Sequence, residues 1–206
     1  MNIKYKNWSE ITIHMFDEIT NIIKDESLSM AEKDIAIVAL LCEVDEDVIW
    51  EMSVDEVNRL RNEVLWVGAP TNVHKKMPKK IKIGEFTLVP QEDIASMTYS
   101  QYVDFETYIK ADKPRKEDIL TTILIPENRK YNDGYDLARV RDAIYMNMSI
   151  EDADSICFFF TKRLVSSIKS LLSCLSKKKT MNKKERENIM EIRKQTLHML
   201  GSLSLE

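Results

Sequence analysis

The chain has 206 residues, 44% hydrophobic and 31% charged, with only four glycines and five prolines. That length is enough to bury a core, and so little Gly and Pro excludes an all-β fold, whose turns consume both. The formal net charge of −4 is unevenly spread: residues 1–66 carry 15 acids against 6 bases, and residues 177–194 carry 8 bases against 3 acids. This asymmetry predicts that the two ends face different partners, or face each other on neighbouring copies. No run of about 18 apolar residues is present, so no membrane-spanning helix is expected. The first residues, MNIKYKNWSE, lack the apolar run of a signal peptide. Cys42, Cys157 and Cys174 are odd in number and without CxxC spacing, which fits reduced, buried thiols in a cytosolic protein.

The first predicted helix follows KNWSEITI. Ile13, Phe16, Ile19 or Thr20, and Ile23 recur three and four apart, an apolar stripe that Ser9 or Thr12 caps. A second helix covers SLSMAEKDIAIVALLCEV, with Ser29 and Glu32 at capping-box spacing. Its centre, Ile35 to Leu41, is apolar nearly all round. Asp45 and then Ser53 each precede an apolar turn, which reads as two further helices, and GAP at 68–70 stops the run.

The texture then changes. Ile81 and Ile83, a Gly84-Glu85 turn, then Phe86 and Leu88 predict a small β-hairpin. A lone hairpin is marginal in water, so it must lie on helices or pair with another chain. In SMTYSQYVDFETYI, Thr98 or Ser100 caps a helix whose Tyr102, Phe105 and Ile109 share one face. An aromatic platform for bases wants basic neighbours, and none precedes Lys110. The expected role of these rings is therefore packing onto the hairpin. Asp118 opens a helical turn through Ile123 and Leu124 that Pro126 ends, and residues 127–136 form a loop. DLARVRDAIYMNM is a short helix. The longest helical pattern begins after Ser149, with acids in its early turns and Lys177, Lys178 and Lys179 at its end, the order the helix dipole favours. In the tail, Ile189, Ile192, Thr196, Leu197, Leu200 and Leu203 lie roughly on one side of a basic helix. So narrow an apolar strip is not stable alone and must dock, on its own domain or on another subunit. The expected organisation is an N-terminal helical unit (1–70), a hairpin-plus-helical unit packed with it (71–176), and a basic amphipathic helix (177–206).

No catalytic chemistry is motivated. His14, His74 and His198 are scattered, with no HExxH or CxxH spacing. The clusters DEDV and EDAD sit where helix N-termini favour acids. DGYD at 133–136 lacks the spaced oxygens of a calcium loop, and no phosphate-binding or nucleophile-elbow motif occurs. No catalytic, cofactor or metal residue is therefore assigned. Lys177, Lys178, Lys179, Lys183, Lys184 and Arg186 are the candidates for contact with phosphate or with an acidic partner. The subunit-contact candidates are Ile81, Ile83, Phe86 and Leu88 of the hairpin, whose open edge strand addition would satisfy, and Ile189, Ile192, Leu197 and Leu200 of the tail.

The order W-SEITI-HMFDEI, KDIAIVALLCEVDEDVIWEMSVDEVNRL, IKIGEFTLV, TYSQYVDFETYI, then ENRKYNDGYD and FFFTKRLVSSI resembles a set of small proteins encoded among the tail genes of tailed bacteriophages, including crAss-like podoviruses. Those combine an N-terminal helical segment, a hairpin, a T-x-x-Q-Y-x-D helix and a late double-Phe helix. The resemblance spans about residues 8–175 and implies a mainly α fold with one small β-hairpin. It further implies a non-enzymatic structural or assembly protein of the virion tail or neck, assembled in the host cytoplasm, with other tail or neck proteins and copies of itself as partners. Two alternatives stand beside that expectation: a transient tail-assembly chaperone, and a nucleic-acid-binding protein using the basic tail.

Overall fold

The computed structural model describes residues 1–73, 76–91 and 94–176. Among these it is mainly helical, with eight α-helices and one small antiparallel sheet. The predicted tail helix, with Lys177, Lys178, Lys179, Lys183, Lys184, Arg186, Ile189, Ile192, Leu197 and Leu200, lies outside the described residues.

Four helices come first: α1 (Ile13–Lys24), α2 (Met30–Cys42), α3 (Glu46–Trp50) and α4 (Val54–Glu63). Their starts are written in the caps. Of the two candidates for α1, Thr12 is the cap, its side chain accepting from Met15 N. Ser29 and Glu32 close a capping box on α2, and Ser53 and Glu56 close another on α4, each satisfying two otherwise orphaned donors. Asp45 precedes α3 but makes no side-chain cap bond. Helix α2 ends at Glu43, held in the left-handed region at φ 55°, where a side chain is strained. The N-terminal segment secures that end: Lys4 N donates to Leu41 O at 3.0 Å, and Lys4 Nζ and Tyr5 OH both donate to the Glu43 carboxylate.

The hairpin is present and gains a third strand. β1 (Ile81–Ile83) and β2 (Phe86–Pro90) pair with Ile83 opposite Phe86. Gly84 sits at φ +55° in the first of the two turn positions, where a two-residue hairpin loop favours glycine. Strand β3 (Leu124–Pro126) pairs with β2, setting Leu88 opposite Pro126 and Pro90 opposite Leu124. Leu124 is therefore strand, not the last turn of a helix. The residue before a proline is pushed to extended backbone, and Pro126, which lacks an N–H, is tolerated because β3 is an edge strand.

Helix α5 (Tyr99–Ile109) starts at Thr98, whose capping box uses Gln101. The α5 face packs on α6 (Lys116–Ile123), and Phe105 meets Phe160 edge-on at 5.3 Å between centroids. The aromatic stretch is thus a core face, as expected, but its seat is α6 and the last helix more than the hairpin. Helix α6 lies at the centre, with every residue from Ile119 to Ile123 buried. Helix α7 (Leu137–Asn147) is capped by Asp136 and α8 (Ile150–Ser176) by Ser149, which accepts from Asp152 N at 3.1 Å. The turn between them is bridged to the segment before α1: Ile13 N donates to Met148 O at 3.0 Å and Ile150 N to Ile11 O at 2.8 Å. One cluster of buried side chains runs from Ile3 and Trp8 through Leu41, Leu60 and Leu88 to Ile156 and Phe160, so segments 1–70 and 71–176 share a core.

Candidate functional site

Four hairpin side chains were candidates for subunit contact, and the fold separates them. Leu88 and Ile83 are buried in the chain's own core, because β3 closes the far edge of β2 and α7 packs beside β1. They are therefore not available to another chain. Ile81 and Phe86 stay partly exposed. Phe86 lines an open hollow of about 440 Å³ whose Arg139 and Glu85 pair at 2.7 Å.

The feature the sequence reading missed is a groove of about 460 Å³ on the seam between the two ends of the chain. Its walls are two helices with the same spacing. Helix α1 contributes Phe16, Ile19, Thr20 and Ile23; α8 contributes Asp154, Cys157, Phe158 and Thr161. Each set is i, i+3, i+4, i+7, the stripe a helix presents on one side. The floor is aromatic: Trp8 meets Phe16 at 5.4 Å and Trp66 at 5.0 Å, both edge-on. Trp8 also donates its indole N–H to Ala69 O at 2.7 Å, which fixes the 67–73 segment as a third wall. The sequence signal was the stripe on α1; its partner on α8, Asp154 to Thr161, was not picked out.

One polar cluster lies in this apolar groove. Asp154 accepts from Thr71 Oγ1 at 2.7 Å and faces Lys116 Nζ at 2.8 Å. The same ammonium stands 4.9 Å from the Phe16 ring centroid, a cation–π distance. Both charges are thus used inside the chain. Beside them the Cys157 thiol is pushed up to about 12, by burial first and by the Asp154 charge second. A thiol so raised stays protonated at neutral pH and is a poor nucleophile.

A second cluster of ionisable groups surrounds the start of α6. Glu117 is buried and paired with Arg115, whose guanidinium also lies 5.9 Å from the Tyr145 ring centroid. Asp118 faces Arg141 at 3.7 Å, and His14 faces Glu18 at 3.3 Å. Glu117 and Asp118 are held by arginines instead of being set against a nucleophile, and of these pairs Asp118–Arg141 joins α6 to α7, while His14–Glu18 lies within α1. Among the described residues, no group of three or more His, Cys, Asp or Glu is placed to hold a metal ion. His74 and His198 lie outside them. No described helix is long and apolar enough to cross a membrane.

Comparison with protein-family models, with curated protein sequences and with solved structures finds no match for this chain. The functional reading therefore rests on the groove and on the residues themselves.

Proposed function

We propose that this chain is a non-enzymatic assembly protein of the tail or neck of a tailed bacteriophage, a ring or connector component that works by contact with other subunits. The observation that carries the contact role is the groove. It is walled by matching stripes on α1 and α8, and its rim leaves Ile23, Val73 and Phe158 exposed. Contiguous apolar surface left open in a folded chain marks a binding face. Among the described residues its charges, Lys116 and Asp154, are matched to each other, which leaves an apolar segment as the natural occupant. The virion setting is supported by the resemblance in segment order, from the N-terminal helices through the T-x-x-Q-Y-x-D helix to the late Phe pair. Closed symmetry would bury faces that a single copy leaves open.

Absolute quantification by mass spectrometry of purified particles tests this reading. A fixed copy number per particle supports a structural part. A chain found in infected cells but not in particles would move the reading to the transient chaperone, and a chain found in neither assembly intermediates nor particles would remove it.

A further inference from the structure

Three large apolar side chains that the fold leaves exposed, Ile23 at 48%, Val73 at 43% and Phe158 at 45%, stand along one groove. Two helices whose stripes share one spacing form its walls, so the shape it offers is a seat for a third helix. We propose that the groove receives the C-terminal segment 187–203 of a second copy of this chain. This names the partner within the assembly reading above and rests on it.

The segment has the right chemistry. Ile189, Ile192, Leu197, Leu200 and Leu203 recur at helical spacing in its sequence, and a strip that narrow needs a groove to be stable. Its charge suits the groove: Arg193 and Lys194 balance Glu187 and Glu191, so a neutral segment meets a groove whose Lys116 and Asp154 are already paired. The surplus bases lie just before it, in residues 177–186, while residues 1–66 hold 15 acids against 6 bases. Asp25 and Glu26 are exposed just past Ile23, at the end of the groove's α1 wall.

The direction of α8 selects a second copy over the same chain. Among the described residues Thr161 is the last that α8 gives to the groove, and α8 continues to Ser176. At roughly 1.5 Å per residue that carries the chain about 22 Å away from its own groove. From there to Gly201 the sequence has neither glycine nor proline, the residues that most readily turn a chain back. A tail delivered outward to a neighbour, whose own tail passes to the next, is a head-to-tail contact, and such contacts close into rings.

The test places a photocrosslinker, p-benzoylphenylalanine, at Phe158 in the full chain. Irradiation is followed by gel mass and peptide mapping. The expected product has twice the chain mass, with the crosslink inside 187–203, and its yield falls at least tenfold in the L197D/L200D variant. Circular dichroism of that variant should lose no more helical signal than residues 187–203 add on docking, because neither residue belongs to the described core. A product of single-chain mass joined to 187–203 would mean the tail returns to its own groove and would overturn the proposal. So would crosslinks confined to other segments, or none at all. Any of these failures leaves the copy number in particles unaffected, so this inference and the assembly reading fail separately.

Discussion

Lys116 Nζ stands 2.8 Å from Asp154 Oδ1, joining the first turn of the central helix α6 to α8 across the apolar groove. Both side chains are mostly out of water, 29% and 23% exposed, so the pair is screened less than one on the surface. Removing only Asp154 leaves Lys116 half-buried without its carboxylate, which costs more than removing both. Asp154→Ala is expected to destabilise more than the K116M/D154A double variant, in which the apolar Met stem still covers Phe16. Urea unfolding of the four members of the cycle should give a coupling of about 1 kcal/mol. A coupling near zero would make the pair incidental.

Gln101 has two duties. Its Oε1 accepts from Thr98 N to close the capping box, and its Nε2 donates to Thr122 O at 2.6 Å in the buried centre. Gln101→Ala removes both and strands a buried carbonyl. The expected loss is about 1–3 kcal/mol, read as a lower urea midpoint with unchanged slope. Thr98→Ala, which touches only the cap, should lose about 1 kcal/mol. Equal losses in the two variants would show that the Thr122 bond contributes nothing.

Burial raises the Cys157 thiol to about 12 from an ordinary 9.0. Between those values the unfolded chain has released a proton that the folded chain retains. Stability from this group is therefore full below about pH 9 and declines as pH rises toward 12. The Cys157→Ala variant should show a shallower alkaline decline than the parent. Thiol labelling of the native parent at neutral pH should leave Cys157 unmodified until denaturant is added. Rapid native labelling of Cys157 would contradict the burial.

The Glu32 and Glu56 carboxylates are held below the usual range by the Ser29 and Ser53 hydroxyls first and by the backbone N–H groups of those serines second. Glu43 is lowered in the same direction, by Lys4 first and Tyr5 second. A depressed carboxylate stabilises the fold above its unfolded value, and that contribution is lost as pH falls through the folded value. The melting temperature should therefore fall on acidification through and below the ordinary carboxylate range, and less steeply in the E32Q/E56Q variant, whose amides keep the reciprocal bond. Identical acid profiles would show that these boxes do not sense pH.

Much of the fold was legible because it is local. Thr12, Ser29, Ser53, Thr98 and Ser149 each mark a helix start through a bond made within three residues. The hairpin was legible from Gly84 between two alternating runs. β3 was not, because Leu124 to Pro126 is short and continues an apolar helix without a break, so its pairing with β2 is decided by tertiary contact alone. The hairpin edge was expected to be open for the same reason. The groove was half legible. The stripe from Phe16 to Ile23 carries its own period, but its match with Asp154 to Thr161 exists only once Ile13 and Ile150 are bridged to the turn between α7 and α8 and to the segment before α1.

The most direct measurement is the solution mass of the full chain by sedimentation across a range of concentrations, beside the Phe158→Glu variant. A chain that works by burying the α1–α8 groove against another subunit is expected to sediment as a defined oligomer, and F158E, placing a charge on the exposed rim, should shift it to one chain's mass while keeping its helical content. A parent that stays at one chain's mass at every concentration, identical to F158E, would contradict it.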